Sequence, residues 1–334
     1  MAYSSVGRPV FYIDNYQYHK TIGTSIENNI PEDVFNLSPT ISKDFDFQQT
    51  VNFPINPNNY DYTGNMKYYI ALINHNFGSS EYINFSNIDA GGLVSALQGV
   101  YNDGYSNLTR FSPLNGSSIF TSSLINSDNF ILTFTNSLAT PSIGAISMGI
   151  QYTMPHSPDL KLSMEIEMDG IDTTNTSGGG TISNVKYTGN PLWVNGSNIT
   201  NCFDVYGDDG LDVTQTGARR NGRKSWNLKF SYMSENNLFA SNPRGGNYVD
   251  PSSDTSNYSS GDIDSDGNYA FNIETDDSFY AQVWNKAIGL PFIFQPDSND
   301  DNDFYICRFD QDSLKVSQSG YKVYDISVKI IESW

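Results

Sequence analysis

Several stretches of the chain alternate between apolar and polar side chains with a period of two. Successive side chains of a β-strand point to opposite faces of a sheet, so this pattern predicts strands with one face on a core and one toward water. Such strands are typical of antiparallel sheets, and the chain is predicted to be all-β. The apolar positions of the three clearest stretches are Leu160, Leu162, Met164, Ile166 and Met168; Trp226, Leu228, Phe230 and Tyr232; and Tyr324, Ile326, Val328 and Ile330.

Other runs complete the prediction of secondary structure. Residues 68–73 are continuously apolar, which suits a strand buried on both faces, and residues 130–135 and 143–150 predict further strands. One helix is predicted near 276–288, with Thr275 or Asp276 as its cap and Gly289 at its end. A shorter helix is predicted near 93–100. Asp169 and Gly170 predict a tight turn after the stretch at 160–168.

The length of 334 residues allows two domains of ordinary size. We predict an extended, aromatic-rich lead-in at 1–30, a first strand-rich domain at 31–150 and a second antiparallel β domain with one short helix at 151–334. Residues 236–268 are polar and rich in Gly, Ser and Asp, which predicts an exposed loop or insertion within the second domain.

The net charge of the chain restricts the classes of partner that it can bind. Asp and Glu (37) outnumber Lys and Arg (18), giving a net charge of −19, which is repelled by nucleic-acid phosphates and anionic membranes. One basic cluster could bind a phosphate or an acidic partner, although a solvated loop is the preferred interpretation; it comprises Arg219, Arg220, Arg223 and Lys224. We therefore expect no nucleic-acid partner.

No signal peptide and no apolar run long enough for a membrane helix are found, so membrane insertion is not expected. The two cysteines, Cys202 and Cys307, lie in apolar or aromatic surroundings and are predicted to be buried free thiols. This fits assembly in a reducing cytoplasm.

The sequence is not expected to encode an enzyme. It lacks the spacing of zinc proteases, serine hydrolases and nucleotide-binding loops. The best catalytic alternative is a glycan depolymerase, which needs two carboxylates. Glu165 and Glu167 lie two apart on one strand face, but they are also the water-facing half of an amphipathic strand.

Two segments are candidate binding sites. An Asp-x-Asp-x-Asp-Gly sequence could bind Ca²⁺ weakly through Asp262, Asp264, Asp266 and Asn268, although position twelve is Ile273 and a solvated acidic turn is preferred. Asn74, His75 and Asn76 follow the strongest predicted strand and could bind a glycan. The alternative is that these three side chains satisfy backbone groups where the strand ends. No other cofactor is expected.

Residues 143–334 resemble a family of bacteriophage tail structural proteins. The segments that carry the resemblance are 149–159 (GIQYTMPHSPD), 178–184 (GGGTISN), 222–232 (GRKSWNLKFSY), 282–286 (QVWNK), 290–297 (LPFIFQPD), 303–310 (DFYICRFD) and 332–334 (ESW). Residues 70–77 (IALINHNF) and 143–149 (IGAISMG) are similar to a galactose-binding-like jelly-roll sandwich.

The resemblance implies a virion component of the tail tip, baseplate or adaptor region, similar to distal-tail proteins. Such a protein would form a homo-oligomer, contact other tail proteins and possess a first domain built as a β-sandwich. A carbohydrate-binding module for host-surface glycan is the alternative function, and the two functions can coexist.

Overall fold

The computed structural model describes residues 7–21, 32–39, 43–44, 66–76, 82–86, 93–95, 108–111, 117–122, 131–135, 142–160, 163–167, 171–185, 223–239 and 277–333. Its strands are β1 (Val10–Asp14), β2 (Lys43–Asp44), β3 (Met66–Ile73), β4 (Tyr82–Ser86), β5 (Leu93–Ser95), β6 (Leu108–Phe111), β7 (Ser117–Ser122), β8 (Ile131–Thr135), β9 (Ser142–Ile143), β10 (Ala145–Thr153), β11 (Ser163–Glu167), β12 (Ile171–Asn175), β13 (Thr181–Val185), β14 (Arg223–Ser234), β15 (Phe292–Gln295), β16 (Tyr305–Phe309), β17 (Lys315–Gly320) and β18 (Val323–Glu332). Helical segments are α1 (Asn15–Thr21), a 3₁₀ turn (Glu32–Phe35), α2 (Glu235–Leu238), a π-helix (Tyr280–Trp284) and α3 (Asn285–Ala287).

One large antiparallel sheet dominates the described residues. Its eleven strands follow the order β11-β14-β18-β16-β15-β1-β10-β3-β7-β6, with β17 paired to β18. Three small sheets accompany it, namely β12-β13, β2-β9 and β5-β4-β8. The prediction of an all-β, antiparallel protein with few helices is confirmed. These pairings do not establish a jelly-roll sandwich, which stays a prediction.

Strand β1 lies at the centre of the large sheet, between β10 and β15. All five of its residues are buried, because its alternate side chains enter two hydrophobic clusters. Phe11 and Ile13 belong to one cluster, and Val10 and Tyr12 belong to the other. A strand from the predicted lead-in thus joins strands from both predicted domains. The predicted boundary at residue 150 falls within β10, and the division into domains stays a prediction.

The predicted helix near 276–288 is present as a π-helix followed by α3. Ser278 caps it, since its Oγ accepts a hydrogen bond from the backbone N–H of Ala281 at 3.3 Å, whereas the predicted caps lie outside the described residues. Gly289 has a φ of 77° and ends the helix. The buried apolar face packs into the cluster that contains Phe11; it comprises Phe279, Val283, Trp284 and Ala287.

Strand β14 follows its predicted alternation until a β-bulge. Trp226, Leu228 and Phe230 are buried as expected, but the register against β18 shifts between Phe230 and Met233. Met233 therefore occupies the next core position, and Tyr232 is 77% exposed with a φ of 61°. A bulge adds one residue to a strand and so reverses the faces that follow it.

Three other local predictions need correction. Leu93–Ser95 form β5 and not a helix, since they pair with β4. The predicted exposed insertion at 236–268 begins later than residue 236, because residues 236–238 belong to α2 and Leu238 is buried. Residues 240–276 lie outside the described part of the chain. The apolar face of β11 was expected on a core but is exposed, as detailed below. No described helix is long and apolar enough to cross a membrane.

Candidate functional site

Asn74, His75 and Asn76 lie where β3 ends, as predicted, but the first two are buried. Asn74 has a φ of 55°, and its side-chain nitrogen donates to the carbonyl of Pro39 at 2.6 Å. His75 Nε2 lies 3.0 Å from Ser118 Oγ, and Asn76 Oδ1 accepts from the backbone of Ser142 at 2.9 Å. In these contacts the side chains of Asn74 and Asn76 bind backbone groups of neighbouring segments where the strand ends. Glycan binding by the three residues stays a prediction.

The residues of the predicted Ca²⁺ site cannot be compared with the structure. Asp262, Asp264, Asp266 and Asn268 lie outside the described residues, and within the described part no group of three acidic, His or Cys side chains could hold a metal. Ca²⁺ binding therefore stays a prediction.

Part of the basic cluster is visible on β14. Lys224 lies with its ammonium 4.3 Å from the ring centroid of Tyr305 and donates to the Tyr305 hydroxyl. Its backbone N–H donates to a carboxylate oxygen of Glu332 at 3.1 Å. Lys224 is thus bound to groups of its own chain. Arg219 and Arg220 lie outside the described residues.

A polar chain is buried inside the large sheet and was not predicted from the sequence. Ser147 Oγ donates to Asp14 Oδ2 at 3.0 Å and lies 2.7 Å from the Tyr69 hydroxyl. Asp14 Oδ1 accepts from the backbone of Gln17 at 3.1 Å, so that Asp14 caps α1. Burial raises the pKa of Asp14 and the hydrogen bonds lower it; the effect of burial is the larger, and the pKa is about 7. The Asp-x-x-Gln spacing before α1 is a capping signal that could have revealed this helix.

The chain of hydrogen bonds cannot contact a substrate in this state. Asp14 is 3% exposed, Tyr69 is 2% exposed and Ser147 is completely buried. Burial and the nearby Asp14 also raise the pKa of Tyr69, so the phenol stays protonated. The arrangement orients β1, β10 and β3 relative to one another, and its titration affects stability.

The open edge is the name we give to β11, the outermost strand of the large sheet. It pairs with β14 on one side, and no paired strand lies on the other among the described residues. All five side chains are exposed, including the apolar Met164 (55%) and Ile166 (48%). The carboxylates Glu165 and Glu167 lie exposed on this strand. Edge strands have unpaired backbone groups that can accept another strand.

The hairpin arm is the name we give to β12, β13 and the loop between them, residues 171–185. Every side chain described from Asp172 to Ser183 is exposed, and Ile182 is 54% exposed. The arm is ordered by its own contacts: the two strands pair over five residues, and Thr176 Oγ1 both accepts from the Gly180 N–H and donates to its carbonyl at 3.0 Å. An isolated two-stranded hairpin is only marginally stable in water.

Charge distinguishes the arm from the rest of the chain. Asp172 is the only charged residue in 171–185, whereas the whole protein has a net charge of −19. The arm is instead rich in Thr, Ser and Ile and contains neither Lys nor Pro, the residues with which proteins commonly protect exposed strands from pairing. The signal was present in the sequence as a β-branched, uncharged stretch around three consecutive glycines.

The open edge and the hairpin arm are neighbours in sequence but do not pair. Only residues 168–170 separate β11 from β12, and a tight turn was predicted there. Strand β12 pairs with β13 in a separate sheet instead. Among the described residues, the structure therefore contains two exposed elements whose outer strand edges have no paired strand. Comparisons of the chain with protein-family models, with curated proteins and with solved structures found no match.

Proposed function

We propose that the protein is a structural component of a bacteriophage tail, in the tip, baseplate or adaptor region, where it assembles with copies of itself and with other tail proteins. The resemblance of residues 143–334 to phage tail structural proteins supports the location in the virion. The observation that carries the proposal is the hairpin arm, in which every described side chain is exposed.

The arm supports assembly because its described side chains are exposed on both faces and a two-stranded hairpin is only marginally stable alone. It buries none of its described side chains in its own chain, yet it has unprotected strand edges. Pairing with another protein would satisfy its outer backbone groups and cover Ile182. Ile182 is 54% exposed, so burying the rest of its side chain contributes roughly 1–1.5 kcal/mol, about half of what complete burial of an isoleucine contributes.

The proposal assigns no catalytic role. Glu165 and Glu167 lie exposed on the open edge, and a depolymerase built on them stays a prediction. Host attachment through glycan likewise stays a prediction. The test of a depolymerase is the release of reducing sugar by the protein and its loss in Glu165→Gln.

Two measurements test the proposed function. Quantitative mass spectrometry of purified phage particles should give a fixed copy number for this chain relative to the other tail proteins. Light scattering on the purified protein should show an oligomer. The substitution Ile182→Lys should raise the dissociation constant of this oligomer at least about tenfold. Ile182→Val is the matched control and should leave association nearly unchanged. Absence from the particles together with a monomer at all concentrations would refute the proposal.

A further inference from the structure

We infer that the hairpin arm of one copy adds as a strand to the open edge of a neighbouring copy, so that the protein associates head to tail. The inference rests on the proposed self-assembly and goes beyond it by naming the two surfaces and their partner. It follows from the exposure, the charge and the length of β11, β12 and β13.

Charge argues against pairing of two open edges with each other. If two β11 strands overlapped fully and antiparallel, Glu165 would lie opposite Glu165 of the other copy. If they overlapped in parallel, both Glu165 and Glu167 would lie beside their equivalents. Like charges directly opposite on neighbouring strands are destabilising. The open edge is thus a poor partner for itself and a better one for an uncharged strand.

The arm provides such a strand. Its strands each have five residues, as β11 does, and its only charge is Asp172 near its base. A neutral strand next to the glutamates avoids the repulsion, and Ile182 supplies apolar surface for Met164 and Ile166, which are half exposed. Two copies with a net charge of −19 repel each other, and contact through an element whose only charge is Asp172 adds little local repulsion to this.

The arm does not cover the edge of its own chain. Strand β12 follows β11 after residues 168–170, close enough in sequence for a hairpin, but it pairs with β13. No described strand of the same chain pairs with the outer side of β11, which leaves that side for a strand of another copy in the inferred assembly. A contact between two different surfaces is heterologous, and its repetition closes into a ring or continues as a helical filament.

Cysteine cross-linking tests the inference directly. Variants Ser163→Cys on the open edge and Thr173→Cys on the arm are made in the full chain with Cys202 replaced by Ser; Thr173 lies on the face opposite Thr174 and Ile182, which is the face of Ser163 in the inferred pairing. Cys307 is retained because it is buried, and the parent protein measures its background. The two variants are treated with a short, flexible bis-maleimide, alone and mixed in equal amounts.

We expect a cross-linked dimer in the mixture and no more than background in either variant alone. Cross-linking of Ser163→Cys alone would indicate edge-to-edge pairing, and cross-linking of Thr173→Cys alone would indicate arm-to-arm pairing. Either result overturns the inference. Oligomers by light scattering without any cross-link would also overturn it, while leaving self-assembly intact. Absence of oligomers in the parent protein would remove both the inference and the proposed self-assembly.

A charge reversal provides an independent check. Thr173→Glu should weaken association up to about fivefold, because in the inferred pairing residue 173 shares a face with Glu165 and Glu167 and brings a carboxylate next to theirs. Glu165→Lys should restore the association of this variant. Failure of the restoration, with both variants folded by circular dichroism, would contradict pairing of the arm with the edge.

Discussion

The buried carboxyl of Asp14 gives the protein a pH dependence that a single substitution can test. Asp14 is 3% exposed and contacts Ser147 and the backbone of Gln17. Burial disfavours the ionised form, so the pKa rises from 3.8 to about 7 in the folded protein. Asn is nearly isosteric with the protonated carboxyl, can still accept the Gln17 N–H and does not titrate.

The sign of the effect follows from the two pKa values. A pKa that is raised on folding means that the folded state binds the proton more tightly than the unfolded state. The contribution of Asp14 to stability is therefore fully present below about pH 4 and is lost as the pH rises through about 7. A rise from 3.8 to about 7 corresponds to at most about 4 kcal/mol in the free energy of unfolding.

The assay is urea unfolding followed by tryptophan fluorescence, at steps between pH 4 and pH 8. We expect the wild type to lose stability relative to Asp14→Asn as the pH rises, with a maximal slope of about 1.4 kcal/mol per pH unit. Asp33→Asn is the control, because Asp33 is exposed and its pKa is lowered by the hydrogen bond to Lys43. Because this variant keeps Asp14, the wild type should show no such loss relative to Asp33→Asn towards neutral pH. Parallel stability curves for the wild type and Asp14→Asn would refute the reasoning.

Three further predictions concern the core and the backbone. Phe230→Ala should lower the free energy of unfolding by roughly 3–5 kcal/mol, because Phe230 is fully buried. Tyr232→Gly should cause no loss, because the Tyr232 side chain is exposed and glycine tolerates the positive backbone φ of this residue. Equal losses of the two variants in urea unfolding would contradict this. Gly149→Ala should destabilise by roughly 1–3 kcal/mol, since its Cβ would lie 2.2 Å from a backbone oxygen, and Gly178→Ala, with open space around it, should have little effect on the melting temperature. The Cys307 thiol should react with a disulfide reagent only after unfolding, because burial, and to a smaller extent Glu332, raise its pKa. The assay uses a variant that lacks the other cysteine. Rapid labelling of the native protein would be inconsistent with the position of Cys307 in the core.

The strands were the most predictable part of the fold. The apolar run at 68–73 lies within β3, which is buried on both faces apart from Lys67, and the alternating stretch of β18 buries Ile326, Val328 and Ile330. Both patterns arise from the local pleat of the chain, so they are legible in one sequence. The bulge in β14 was not predictable, because an extra residue changes the alternation only when a partner strand defines the register.

The candidate site was less predictable than the fold. Asn74 and His75 stand after the expected strand, but neighbouring segments bury them, and their hydrogen bonds to Pro39 and Ser118 reach distant parts of the chain. The polar chain of Asp14 joins residues 133 positions apart in sequence, so no local pattern could reveal it. The hairpin arm had a local signal in its composition, but only the structure shows that nothing described covers it.

The sequence by itself determined that the chain forms amphipathic strands, because side-chain direction in a strand depends only on the position along it. The tertiary structure decided which of those strands have a partner on each side. Strands β11 and β14 show the same alternation, yet β14 buries its apolar face and β11 exposes Met164 and Ile166. Alternation specifies which side chains share a face, whereas the burial of that face depends on elements from elsewhere in the chain that pack against it, as the residues around the π-helix do for β14.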